Sequence, residues 1–92
     1  MLFAGRWKVE VYYDILRGIH RLSKTDRRIA LSSIGREARV PNNRIRDRLA
    51  ELVALGLLTS DFSVTRAGYG FCADYLNQID RFLRKYGLSR GR

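Results

Sequence analysis

SSIGREARVPNNRIRDRLAELVALGLL, residues 32–58, is the stretch whose reading decides the fold. Pro41 sterically pushes Val40 out of the α region, so a helix opened by Ser32 as its cap has to end around Arg39. Ile34 and Ala38 form the inner face of that short helix. Asn42 and Asn43 then offer capping side chains to a second helix, in which Ile45, Leu49, Leu52 and Val53 recur on one face. Gly56 suits the left-handed position just past a helix end, and Leu57 is spaced to close a Schellman-type cap against Leu52. Two helices joined by three or four residues read as a helix-turn-helix.

Working back from this stretch, Val9, Tyr12, Ile15, Leu16, Ile19 and Leu22 recur at spacings of three and four. They predict a helix over about 6–22, in which Gly18 costs about 1 kcal/mol relative to Ala. The polar run Ser23–Asp26 breaks it, and Arg27 to Leu31 is short enough for a small strand. Working forward, 57–59 and 62–64 read as two short strands around the polar turn Ser60-Asp61, a wing. Thr65 caps a last helix over about 66–86.

In that helix Cys72, Leu76, Ile79, Leu83 and Tyr86 alternate steps of four and three, flanked by Tyr75 and Phe82, which is the pattern of a coiled-coil seam or a core face. A helix from 66 to 86 spans about 30 Å, more than a three-helix core covers, so these seven side chains are the expected homodimer contact. Gly87 ends the helix and 87–92 form a basic tail. The expected fold is mainly α with a small β-hairpin wing: one winged helix-turn-helix domain over 1–92, with a core at 7–65 and a long C-terminal dimerisation helix.

Ninety-two residues allow one core, and 46% hydrophobic residues with a single proline describe a folded chain rather than a basic disordered tail. Eighteen Lys and Arg against nine Asp and Glu leave a net charge of +9, which draws polyanions. Apart from Lys8, Lys24 and Lys85 the bases are arginines, whose planar fork suits phosphates and guanine edges. Solubility or an acidic partner would also account for the excess.

Cys72 is the single cysteine, so an intrachain disulfide is excluded, and its apolar neighbours make it a small core residue. His20, the single histidine, falls on a surface or edge of the first helix. No Cys/His ligand set, phosphate-binding glycine loop or nucleophile motif accompanies it, so the expectation is a non-enzyme with no catalytic residue, metal or cofactor and no evident small-molecule ligand. Gly68 and Gly70 follow Thr65 too closely to form such a loop and read as close-packing positions. With no signal peptide and no apolar run of membrane length, an intracellular, cytoplasmic protein is expected.

The side chains expected to meet nucleic acid follow from the second helix of the pair. With Ile45, Leu49 and Leu52 inward, Asn43, Asp47 and Ala50 point outward with Arg44 and Arg46 on the shoulders. Asn can read adenine and Arg guanine, while flanking arginines neutralise phosphates. Arg36 and Arg39 lie where the preceding helix crosses a DNA backbone, and Lys24, Arg27 and Arg28 can extend the basic surface. The plainer alternative keeps Asn42 and Asn43 as caps and the arginines as a solvated face.

SSIGREARVPNNRIRDRLAELVALGLL followed by SVTRAG (63–68) resembles the winged-helix core of archaeal transcription regulators. With YYDILRGI (12–19) in the first helix and one long helix at the end, residues 7–86 are similar to the archaeal ten-kilodalton winged-helix chromosomal-protein family. The resemblance implies a dimer held by an antiparallel coiled coil of the last helices, with double-stranded DNA as ligand and a nucleoid-associated role. Arg39 stands where such motifs commonly place glycine, and Ser60-Asp61 puts an acid at the wing tip. Two rival readings are a protein-interaction module of the transcription machinery and an RNA-binding protein; Phe62 alone in the hairpin is a poor stacking platform for the latter.

Overall fold

The computed structural model describes residues 7–25 and 29–88. Four helices follow one another: α1 (Lys8–Leu22), α2 (Leu31–Ala38), α3 (Asn42–Ala54) and α4 (Arg66–Lys85). The apolar stripes of the first three converge on one core of Ile15, Leu16 and Ile19 from α1, Ile34 and Ala38 from α2, and Ile45, Leu49 and Leu52 from α3. Val40 and Leu58 plug it from the two connections. Gly18 lets α1 and α2 approach closely, since a Cβ there would stand 3.1 Å from the Glu37 Cγ.

The helix stops are set by backbone chemistry, and three of them share one design. At the end of α3 the Leu57 N–H donates to the Leu52 carbonyl and the Gly56 N–H to Val53, each at 3.0 Å, with Gly56 at φ 79°, the expected Schellman cap. Gly87 closes α4 in the same way, its N–H donating to Arg84 and that of Leu88 to Leu83. Arg39 closes α2: it adopts φ 58° and ψ 47°, while the Val40 N–H reaches Gly35 at 2.8 Å. A non-glycine residue in the left-handed region costs about 1–2 kcal/mol. Burial of Val40 and the two cap hydrogen bonds offset it, so an arginine serves where glycine is the common choice.

Helix starts differ from the sequence expectation at two places. Ala30, in extended backbone, is the N-cap of α2, so Ser32 lies inside the first turn and does not cap. Pro41 is the N-cap of α3, its carbonyl accepting from the Arg44 and Ile45 N–H groups at 2.9 and 3.0 Å. Asn42 and Asn43 are therefore the first two helical residues rather than caps. The pyrrolidine ring holds Pro41 at φ −59°, which already suits the entry to a helix. Of the short strand expected at Arg27–Leu31, Arg27 and Arg28 lie outside the described residues, Ile29 and Ala30 are irregular, and Leu31 opens α2.

The expected β-hairpin wing is not formed, and the fold is all-helical among the described residues rather than a winged helix with a sheet. A single antiparallel bridge pairs Leu58 with Val64. The reason is length. The pairing is limited to the Thr65 N–H on Leu57 and the Thr59 N–H on Ser63 around that bridge, since the α3 cap reaches Gly56, α4 begins at Arg66 and the turn takes Ser60–Phe62. Ser60–Phe62 turn the chain, with the Phe62 N–H donating to Thr59 at 3.0 Å and Phe62 itself at φ 66°. Thr65 locks the junction as its Oγ1 donates to the Gly56 carbonyl at 2.7 Å and accepts from the Gly68 N–H at 3.0 Å.

Gly68 sits buried where α4 leaves this loop, and a Cβ there would lie 2.3 Å from the Leu57 carbonyl oxygen. Gly70, by contrast, faces open space, so close packing explains only one of the two glycines. From this anchor α4 runs along α1, with the rings of Tyr75 and Tyr13 stacked at 4.5 Å and that of Tyr69 set edge-on to His20 at 5.4 Å. Its last turns extend past the core. The radius of gyration of 14.0 Å exceeds the ~12 Å of an equally long compact chain, and the longest extent is 41 Å.

Candidate nucleic-acid interface

With Ile45, Leu49 and Leu52 buried, α3 exposes Asn42, Asn43, Arg44, Arg46, Asp47 and Ala50. The tight turn brings the C-terminal end of α2 beside the start of α3, so exposed Arg36 and Arg39 border the same surface. A shallow depression between them is lined by Ser32, Arg36, Arg39, Pro41 and Asn42. All seven residues expected at the interface are exposed, and Arg36, Arg39 and Asn42 line one depression at the turn. Asp47 is the acid among the seven, and the first turns of α2 and α3 hold none.

Two ion pairs lie outside this face. Glu51, on the flank of α3 toward α1, accepts the Tyr12 hydroxyl at 2.6 Å and pairs with Arg48 at 3.2 Å. The hydrogen bond from Tyr12, aided by Arg48 and Lys8, holds the Glu51 carboxyl below its ordinary range, and burial with the Glu51 charge pushes the Tyr12 phenol up. Arg48 is thereby turned away from the exposed set. Glu37 pairs with Arg21 at 2.6 Å on the α1 side of α2. Among the described residues no ion pair engages Arg36, Arg44 or Arg46, which leaves their guanidinium groups available to an anion.

The seven side chains expected at a dimer contact divide into two groups. Cys72 packs against the core and Tyr75 stacks on Tyr13, so both serve the attachment of α4 to its own chain, a role the four-three spacing does not distinguish from a seam. Farther along, Leu76, Ile79 and Leu83 are half-buried, while Phe82 is 57% and Tyr86 60% exposed. Leu88, 57% exposed, joins them just past the helix end.

His20 lies at the edge of α1, its Nδ1 3.0 Å from the Tyr69 hydroxyl. Among the described residues no three His, Cys, Asp or Glu side chains could hold a metal ion, and no helix is long and apolar enough to cross a membrane. Of the basic cluster expected before the motif, Lys24 is exposed beside α1, and Arg27 and Arg28 lie outside the described residues. Sequence reasoning missed a second basic edge on α1. Arg17 and Arg21, at positions i and i+4 of α1, with Lys24 in the turn that follows, border a cleft against α4, and the i, i+4 spacing is the signal that would have found it. Comparison with family models, with curated proteins and with solved structures finds no match to this chain.

Proposed function

We propose that this chain is a non-catalytic protein that binds duplex DNA by laying α3 in the major groove. The observation that carries the reading is the set of exposed arginines around the α2–α3 turn, Arg36 on α2, Arg39 at its end, and Arg44 and Arg46 with Asn43 on α3, whose inner side packs Ile45, Leu49 and Leu52 into the core. A helix fits the major groove of B-form DNA, arginines at its margins reach phosphates, and asparagine can pair bidentately with adenine. Pro41 brings no side-chain acceptor to the start of α3, which leaves that positive end of the helix dipole open to a phosphate. The proposal extends to a nucleoid-associated protein of the cytoplasm.

The active form in this proposal is a homodimer joined by the distal half of α4. Phe82, Tyr86 and Leu88 stand exposed beside half-buried Leu83, and burying each exposed side chain is worth about 1.5–3 kcal/mol before the entropic cost of association. Two copies double the arginine face and place two α3 helices on one duplex.

The deciding experiment is titration of the protein with a fluorescent duplex at rising salt. Neutralising about six to eight phosphates predicts a log–log slope of roughly minus five to minus seven. A slope near zero, or no binding at low salt, overturns the reading. Tighter binding to single-stranded RNA than to duplex DNA at equal salt favours the RNA alternative, and binding only to an acidic protein favours the interaction module.

A further inference from the structure

Beside the junction of α1 and α4 lies a cleft of about 360 Å³, within the range of small-molecule sites. Its floor is apolar, lined by Leu16, Val64, Cys72 and Leu76, with Tyr69 on the α4 wall and the edge of Tyr13, buried and stacked on Tyr75, on the α1 wall. Its rim is basic: Arg17, His20, Arg21 and Lys24 border it, and no acid among the described residues does. Arg21 is engaged by Glu37. Arg17 spends one N–H on the Tyr13 hydroxyl at 2.7 Å, which leaves the remainder of its five-donor fork directed at solvent or a ligand. The Lys24 ammonium has no partner among the described residues.

We propose that this cleft binds a small aromatic monocarboxylate, with its ring on the apolar floor beside Tyr69 and its carboxylate at the basic rim around Arg17. The two halves of the cleft select for the two halves of the ligand. A bare inorganic anion gains nothing from a floor of Leu16, Val64, Cys72 and Leu76. An uncharged ring leaves the cations at the rim without a counter-charge. A carboxylate accepts two N–H bonds from a guanidinium side by side, stronger than a neutral pair. The Cys72 thiol is pushed up by burial and partly drawn back by Arg17, so the rim cation acts electrostatically on the floor. The cleft is formed by one chain and lies on different elements from the α2–α3 face, so the proposal stands apart from the DNA reading.

The test uses the full chain with 2-naphthoate and its neutral analogue 2-naphthamide, followed by NMR shifts and by the rate at which Cys72 reacts with a neutral maleimide. Naphthoate should bind saturably with a dissociation constant on the order of 1 mM or tighter, and about tenfold better than the amide. Shifts should appear on both walls, and bound naphthoate should slow alkylation of Cys72. In an Arg17→Gln/Lys24→Gln variant the preference for the acid over the amide should disappear while the weak binding of the ring remains. Equal affinity for the two probes in the native chain, shifts confined to α3 or to Phe82–Leu88, or unslowed alkylation at saturation each overturn the proposal. Protection of Cys72 that rises with protein concentration alone assigns the cleft to a second copy of the chain, and also overturns it.

Discussion

Replacing Gly68 by alanine tests how α4 is anchored to the rest of the molecule, and Gly70→Ala, two residues along the same helix, is its control. A methyl group at Gly68 would stand 2.3 Å from the Leu57 carbonyl oxygen and 2.8 Å from the Val64 Cγ1. Carbon and oxygen rarely approach closer than about 3.3 Å, so the connection or the helix has to move by about 1 Å. The carbonyl that would be displaced also accepts the Thr65 N–H at 3.2 Å, and the loop around it is tied by the two Thr65 hydroxyl bonds. Overpacking of this kind costs about 1–3 kcal/mol, and a weakened hydrogen bond adds about 1. Alanine returns about 1 kcal/mol through helix propensity, leaving a net loss of roughly 1–3 kcal/mol.

At Gly70 nothing lies within 4 Å of the added carbon, so only the propensity gain of about 0.5–1 kcal/mol remains. For a domain of this size about 1 kcal/mol moves the melting midpoint by about 4–8 °C. Thermal unfolding followed by circular dichroism should therefore show the two variants displaced in opposite directions from the native chain. Gly68→Ala unfolding within about 0.5 kcal/mol of the native chain would refute the steric argument, a margin set by ordinary surface substitutions. An equal fall for Gly70→Ala would do the same.

Arg44→Ala and Arg46→Ala should weaken duplex binding and flatten its salt slope by about one unit each without lowering the melting midpoint, as both side chains are exposed. Normal binding by both would remove α3 from the interface. Leu49→Ala, at 2% exposure in the core, should cost about 2–5 kcal/mol in urea unfolding, and a loss below 1 would contradict its placement. Tyr12→Phe removes the hydroxyl from Glu51, and its effect on stability should be widest between pH 4.5 and 10.0, the ordinary values of the two groups. Glu51 titrates lower in the folded chain, so its contribution is complete above 4.5 and lost as pH falls through the folded value. Tyr12 titrates higher, so its contribution is lost as pH rises through its folded value, and a pH-independent difference would refute the coupling. Leu83→Glu should yield monomers in sedimentation with reduced duplex affinity, whereas a native chain already monomeric at tens of micromolar would end the dimer proposal.

Local chemistry alone determined where three helices stop. Pro41 bars α2 from continuing, and Gly56 and Gly87 take the positive φ that closes α3 and α4, effects that act over a few residues and need no tertiary partner. The inward faces of α1, α2 and α3 were legible for a related reason, since a stripe at helical spacing has to be covered by something, and in a short chain other stripes are what is available. The exposed arginines of α3 followed by subtraction. Tertiary structure decided what depends on competition for the same residues. Residues 57–64 have strand-like side chains, but the α3 cap reaches Gly56, α4 begins at Arg66 and the turn takes Ser60–Phe62, leaving one bridge. Ser32, Asn42 and Asn43 are all good caps, yet Ala30 and Pro41 hold those positions once α2 packs on α1 and α3 on α2. The seam of α4 is one continuous pattern in the sequence, and only its alignment with Tyr13 and His20 divides it into a half bound to α1 and a half that extends beyond the core. The cleft at Arg17 and Lys24 arises from that same alignment, because an apolar floor with a cationic rim exists only once two helices distant in sequence lie side by side.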